Sequence, residues 1–291
     1  MPEANRNAYI ILGATGHIGS VVAEKLLSDG HDVIAIARDD AKTESLKTAG
    51  AEIAVVDVAD TERLRTTFQR GRRAFLLNPP APITGDTDVE ENRTAQSIAE
   101  ALRGSGLEKV LVESTYGAQQ GEAIGDLSVL WNFERAVANA MIPMAVNRGA
   151  YYFTNLDMVV DEAGDGTIST MFPAHLTIPM VAPADLGEAA AKRLASPVED
   201  IGLRHVEGPE HYSFDDVAAA FADALGHAVT VKTIERADWE ASFRQAEFSE
   251  RAARAYTRMT EASLKGFEMP EHPLRGDISL RQHISKLVKA T

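Results

Sequence analysis

Apolar residues along the chain fall into two alternating patterns. Short, nearly uninterrupted apolar runs, rich in Val and Ile, occur at Ala8–Leu12, Asp32–Ala37, Ile53–Val58, Ala74–Leu77, Lys109–Val112 and Pro143–Asn147, and predict strands. Between them, apolar positions recur with helical spacing at Ile18–Leu27, Thr61–Gln69, Glu90–Leu102 and Asp126–Asn139. The first of these stops at Gly30, and the third stops near Gly104 and Gly106. Strands separated by helices of this length predict a parallel sheet with right-handed crossovers.

The pattern changes near residue 150. Tyr151–Asn155 is aromatic and polar, and Thr167–Phe172 and Val229–Ile234 read as strands. Ala184–Ala195 reads as a helix between Pro183 and Pro197. Ser213 is a good N-cap for a helix over Asp215–Leu225, with Asp216 three residues on as in a capping box. Ala237–Leu264 reads as one long charged helical stretch. The expected fold is α/β: a doubly wound parallel sheet over residues 1–150 and a smaller, mixed α/β region over residues 151–291. The chain is expected to cross back toward the first part around residues 175–205, leaving a cleft between the halves.

Composition narrows the function. The chain has 291 residues, 45% of them hydrophobic, enough for a sizeable core. Its formal net charge is −14, from 29 basic and 43 acidic residues, which disfavours a nucleic-acid partner or an anionic membrane surface. A small anionic ligand in a local basic pocket remains compatible with it. With 0 cysteines, disulfides, thiolate metal sites and cysteine nucleophiles are excluded. The 8 histidines show no metal-ligand spacing, so no metal is expected. No apolar run approaches the roughly 18 residues of a membrane span. Met1–Asn7 is short and polar, so no signal peptide is expected and the cytoplasm is the expected compartment.

One motif carries chemistry. Gly13-Ala14-Thr15-Gly16-His17-Ile18-Gly19 follows the first strand and opens the first helix. Gly13 permits the tight turn, Gly16 lets backbone approach a pyrophosphate, and Gly19 permits close helix–sheet packing. The helix N-terminus offers free N–H groups and a positive dipole end to the phosphates. The strand before, the helix after and the βαβ length are the context this dinucleotide-binding fingerprint requires. The first half is therefore expected to be a Rossmann-type domain.

The second strand runs into Arg38 rather than the acidic residue that usually takes the ribose 2′-hydroxyl of NAD. Arg38, helped by Lys42, suits a 2′-phosphate, so NADP(H) is the preferred cofactor. NAD(H) is the alternative, with Asp39 on the ribose. Asp57 and Val58, ending the third strand, suit the adenine amino group and ring face. Asn78, Pro79 and Pro80, ending the fourth, suit the nicotinamide ribose. Tyr151, Tyr152 and Phe153 are candidates to stack on a flat apolar substrate, and His175 could point into the same pocket. Core packing of these aromatics is the competing reading.

Together these residues resemble the NmrA-like group of atypical short-chain dehydrogenases/reductases. The resemblance spans most of the chain: Gly13–Gly19, Arg38, Val56–Val58, Phe75–Pro80, Glu113–Gln119, Asn147–Tyr152, Asn155, Pro183–Gly187 and Glu207–Glu210. Relatives of this kind include NADPH-dependent quinone reductases and nicotinamide-sensing regulators without turnover. The resemblance implies that Ser114 occupies a position where the family often hydrogen-bonds a substrate carbonyl, beside the cofactor. Typical short-chain dehydrogenases carry a Tyr-x-x-x-Lys pair on the helix after the fifth strand, where lysine lowers the tyrosine pKa. Asp126–Asn139 holds neither residue. Ser114 and Tyr116 are weak catalytic candidates, and the catalytic group is otherwise unassigned. A missing dyad favours an easy, electron-poor small-molecule acceptor such as a quinone or activated carbonyl, whose reduced oxygens are weakly basic. It equally favours a redox sensor that reports to a protein partner.

Overall fold

The computed structural model describes residues 7–290. The first half alternates as the sequence predicts: β1 (Ala8–Leu12), α1 (Gly19–Ser28), β2 (Val33–Ala37), α2 (Glu44–Thr48), β3 (Glu52–Val55), α3 (Thr61–Phe68), β4 (Gly71–Leu77), α4 (Thr87–Leu102), β5 (Lys109–Thr115), α5 (Asp126–Ala138) and β6 (Met144–Gly149). Then come β7 (Tyr151–Tyr152), a 3-10 turn over Phe153–Val159, α6 (Val160–Gly164), β8 (Thr167–Thr170), β9 (Ile178–Val181), α7 (Pro183–Ala195), β10 (Gly202–Glu207), β11 (His211–Tyr212), α8 (Phe214–Leu225) and β12 (Thr230–Thr233). The chain closes with α9 (Trp239–Gln245), α10 (Glu250–Leu264), β13 (Leu274–Arg275) and α11 (Leu280–Ala290).

The main sheet has eight strands in the order β13-β10-β6-β5-β4-β1-β2-β3, all parallel. Successive side chains of a strand point to opposite faces, so each strand feeds two cores. Ile10, Leu12, Ile34, Ala74, Val110 and Val112 face α3, α4 and α5, meeting Phe68, Ile98 and Phe133. The alternate residues Tyr9, Ile11, Ala35, Phe75 and Leu111 face α1 and α7, meeting Val22, Leu26, Leu186 and Leu194. The strand order reverses between β1 and β4, and ligands of doubly wound sheets bind outside the strand carboxyl ends at such a point.

The second half returns to this sheet through α7, β10 and β13. Gly187 lets α7 lie against α1, because a Cβ there would sit 2.5 Å from the Val21 Cβ. The carbonyl end of α7 is held by cations from neighbouring strands. Arg73 donates to the Leu194 and Ser196 carbonyls, both at 2.6 Å. The fully buried Lys109 donates to the Arg193 carbonyl at 2.6 Å and the Pro197 carbonyl at 3.0 Å. Free helix carbonyls and a negative dipole end are what a buried cation needs. Burial pulls the Lys109 pKa down from its ordinary value, with nearby Arg73 adding to the effect.

The remaining elements form a third core of Phe153, Ile168, Met180, Phe214, Phe221, Leu280 and Ile284. Two small sheets, β11-β9-β7 and β12-β8, frame it. The capping box is present: Ser213 Oγ accepts from Asp216 N–H at 3.1 Å, and Asp216 Oδ2 accepts from Ser213 N–H at 2.8 Å. Ser213→Ala is expected to cost about 1 kcal/mol, lowering the melting temperature by about 3 °C in a thermal scan.

One predicted element is corrected. Ala237–Leu264 is two helices, α9 and α10, and not one. Glu247 takes a left-handed φ of 66°, and Ser249 caps the new helix by accepting from Ala252 N–H at 3.0 Å. The break is driven by tertiary packing. Phe243, Phe248 and Tyr256 cluster against Ile83, and Ser249 N–H donates to the Ile83 carbonyl at 2.8 Å. No helix among the described residues is long and apolar enough to cross a membrane.

Candidate functional site

The glycine turn bridges β1 and α1 at the carboxyl edge of the sheet. Gly13 has φ 70°, a left-handed value open to glycine at little cost. A Cβ on Gly19 would lie 2.3 Å from the Gly13 carbonyl oxygen and 3.2 Å from the Ala14 Cα, so this glycine admits the turn itself. A Cβ on Gly16 would touch only the Gly13 oxygen, at 3.4 Å, leaving its outer side clear. The amides of Thr15, His17 and Ile18 have no backbone acceptor outside secondary structure among the described residues. Ala14 and Ile18 are buried and anchor the turn from below, while Gly16 and His17 are exposed. Unpaired amides beside the clear outer side of Gly16, at a helix N-terminus, fit a diphosphate.

At the end of β2 the charges separate. Asp39 accepts from Ala41 N–H at 3.0 Å, and Asp40 accepts from Thr43 Oγ1 at 2.8 Å and Lys47 Nζ at 2.6 Å. Both carboxylates are committed to shaping their own loop. Arg38 and Lys42 are exposed and pair with nothing among the described residues. At the end of β3, the Asp57 carboxylate accepts from Ala59 N–H at 2.9 Å in a local turn, and Val58 is buried in the core.

The ends of β4 and β5 are tightly bonded. Asn78 donates to the Glu91 carbonyl at 3.0 Å and accepts from Thr94 Oγ1 at 2.8 Å, tying β4 to α4. Pro79 is half-buried and Pro80 exposed on the segment that follows. Ser114 is fully buried and donates to Glu134 at 2.5 Å; Arg148 grips the same carboxylate with two bonds of 2.8 Å. Tyr116 donates at 2.6 Å to Glu207, which also meets His211 at 2.9 Å and Arg275 at 3.0 Å. Burial first, and then this carboxylate, push the Tyr116 phenol well above its ordinary pKa. Both hydroxyls are thus engaged by carboxylates.

The aromatic segment divides. Tyr151 and Tyr152 are half-buried, and burial pushes the Tyr151 phenol up to about 12. Phe153 is fully buried in the third core against Tyr212 and His283, which takes it away from any cleft wall. His175 is exposed, with no partner among the described residues.

The structure also brings together a group of carboxyls that sequence reasoning missed. Asp88 and Glu91, from the first turns of α4, lie within electrostatic reach of Asp126, the first residue of α5. Glu91 is 4% exposed, and its Oε1 accepts from Ala81 N–H at 2.8 Å, just beyond β4. Burial, and then the charge of Asp126, push the Glu91 carboxyl up to about 8. Burial and Asp88 push Asp126 up to about 6. Tyr256 on α10 feels all three carboxyls from the far side. Acidic residues in a helix's first turn normally read as a solvated, dipole-favoured face, so only the packing of α10 against α4 reveals that Glu91 is buried.

Residues 6–264 match the profile of the NmrA-like family. The chain belongs to the NmrA-like family. Among curated relatives, quinone oxidoreductase 2 of Escherichia coli is 21% identical over 247 residues, 80% of this chain and 80% of that protein. The NAD(P)H azoreductase of Xenophilus azovorans is 23% identical over 220 residues, covering 76% and 74%. Among solved structures, Citrobacter sp. triphenylmethane reductase complexed with NADP(H) superposes with a TM-score of 0.81 at 19% identity, covering 97% of this chain and 99% of that one. An NmrA-like, Rossmann-like α/β fold is what these likenesses share.

Proposed function

We propose that this chain is an NADPH-dependent oxidoreductase that passes hydride to a small electron-poor acceptor such as a quinone or activated carbonyl. One observation carries the reading: the amides of Thr15, His17 and Ile18 in the Gly13–Gly19 turn lie at the switch point without backbone acceptors, with Arg38 and Lys42 unpaired among the described residues at the end of the neighbouring strand. The turn residues would hold the diphosphate, and the guanidinium of Arg38 the 2′-phosphate. Asp57 at the end of β3 would face the adenine, with Val58 behind it. Asn78, Pro79, Pro80 and the Ser114 region would border the nicotinamide ribose. The reduced nicotinamide supplies the hydride, and the protein's task is to orient the acceptor and exclude water. Tyr151 and Tyr152 would form one wall for a flat acceptor. Relatives that reduce quinones, azo compounds and triphenylmethane dyes support a flat, electron-poor acceptor.

Replacing Arg38 with aspartate is the direct test of the cofactor. Charge-assisted hydrogen bonds contribute about 1.5–3 kcal/mol, so the NADPH/NADH affinity ratio from calorimetry should fall at least tenfold. An unchanged ratio would remove Arg38 from the site.

A second reading rests on the composition of α5, which carries neither tyrosine nor lysine. A non-catalytic sensor of NADP(H) redox state needs no proton relay, and it must bind NADP+ and NADPH with different affinities. Equal affinities, together with turnover of any acceptor, exclude it.

A further inference from the structure

The main sheet leaves part of one strand bare. β6 pairs with β10 from Gly202 to Val206, but β13 covers the other side of β10 only at Val206 and Glu207. The outer side of Gly202–Arg204 therefore has no strand beside it among the described residues, and this stretch is exposed. Its backbone groups point outward. The Gly202 carbonyl faces inward, accepting from Arg193 at 2.9 Å, and the same guanidinium holds the Val146 carbonyl of β6 at 2.8 Å. A trans peptide sends its carbonyl and the following amide in opposite directions, so the Leu203 N–H faces the open side. Further along, the Glu207 carbonyl faces that side too, accepting from the Gly276 amide just after β13 at 2.7 Å.

A bare strand edge is a template for another strand, and proteins often guard it with a charge. Arg204 is such a charge, but its counter-charge lies on the same edge: Asp200 accepts from it at 2.9 Å. The edge reads Asp200-Ile201-Gly202-Leu203-Arg204, which is chemically palindromic about Gly202. Turned about a two-fold axis at Gly202, Ile201 stands against Leu203 of the partner subunit, and Asp200 against Arg204 of the partner subunit. Ile201 and Leu203 are 51% and 47% exposed. The two kinds of contact fall on different faces of the sheet. Leu203 aligns with Val146, which faces α5, while Arg204 aligns with Asn147, which meets Arg193 of α7. At the axis, Gly202 brings no side chain, and even a Cβ there would meet nothing within 4 Å.

We propose that the Asp200–Arg204 edge of β10 is an interface between two copies of this chain, which pair antiparallel about a two-fold axis at Gly202 and join their main sheets. Complementary charge and apolar contacts repeat on both sides of the axis, as an isologous interface requires, and closure stops the assembly at two. The inference is independent of the oxidoreductase reading.

So short a pairing lies at the small end of protein interfaces, and a Kd on the order of 10 µM is expected. Sedimentation of the full chain across roughly 1–300 µM, a range bracketing that value, should show monomer giving way to dimer. Leu203→Lys sets like charges close together beside the axis and should raise Kd about tenfold or more, with circular dichroism as the check on folding. Register is read by crosslinking, because the chain has 0 cysteines. Opposed residues lie about 5 Å apart between Cα atoms, within disulfide reach. A mixture of Ile201→Cys and Leu203→Cys proteins should therefore crosslink under mild oxidant, and each variant alone far less; this arm also serves if Leu203→Lys fails to fold. A chain that stays monomeric throughout, a dimer that Leu203→Lys leaves intact, a mixture that does not crosslink, or either cysteine variant crosslinking alone as well as the mixture overturns the proposal.

Discussion

Gly19→Ala is expected to abolish tight dinucleotide binding while the chain still folds. The new methyl would meet the Gly13 carbonyl oxygen at 2.3 Å and the Gly13 carbonyl carbon at 2.7 Å. These are backbone atoms at the turn's left-handed residue, so no side-chain rotation relieves the clash. Overpacking of this kind costs about 1–3 kcal/mol. The cheapest relief is to open the turn, which moves the Thr15, His17 and Ile18 amides out of their cradle. A loss of about 2.7 kcal/mol in binding is a hundredfold in Kd. Calorimetric titration with NADPH reads it, and circular dichroism checks the fold. Wild-type affinity in this variant would mean that the turn holds no phosphate.

Arg193→Ala carries the largest expected loss of stability. Arg193 is 3% exposed and reaches from α7 across the sheet. It donates to the Val146 carbonyl and Asn147 Oδ1, both at 2.8 Å, and to the Gly202 carbonyl at 2.9 Å. It lies 3.6 Å from Asp200. Glu113, opposite Asn147 in the sheet, is held well above its ordinary pKa by burial. Truncation strands these acceptors in a dry interior, a loss of about 3–5 kcal/mol. The melting temperature should fall by roughly 10 °C. A change under 2 °C (about 0.5–1 kcal/mol) would show that water replaces the guanidinium freely.

Much of the fold was legible because it rests on local periodicity. Runs such as Ala8–Leu12 and Lys109–Val112 are apolar on both sides of the strand, and only a sheet covered on both faces uses such strands. The glycine turn was legible because each glycine answers a steric demand that can be stated without coordinates. The second half was harder to read. β10 begins Gly202-Leu203-Arg204-His205, and its first residues are exposed at the sheet margin, so no apolar run marks it. α11 ends the chain with only Leu280 and Ile284 buried, on a stretch of charged residues. α10 separated from α9 because Phe248 and Tyr256 had to reach Ile83, a residue far away in sequence.

The candidate site was legible to the same degree. Positions fixed by strand ends, such as Arg38 and Asp57, could be named from spacing alone. What each side chain does there depended on partners distant in sequence. Nothing near Tyr116 announces Glu207, and nothing near Ser114 announces the Glu134–Arg148 pair. Phe153 looked like its neighbours, yet it lies fully inside the third core, Tyr151 packs against the edge of that core beside Phe172 and Phe214, and Tyr152 packs against the core under α1 and α7.

The return of the chain to its own first sheet limits how the molecule can be divided. Severing it at residue 150 would leave β6 with a bare edge where β10 had paired with it, from Gly202 on Ala145 to Val206 on Gly149. Lys109 and Arg73 would lose the α7 carbonyls that accept their hydrogen bonds, and the apolar sheet face around them would be uncovered. A fragment spanning the glycine turn and the first six strands therefore carries a sticky flank and unmet cations, and grafting it alone into another protein would transplant an aggregation seam along with the nucleotide cradle.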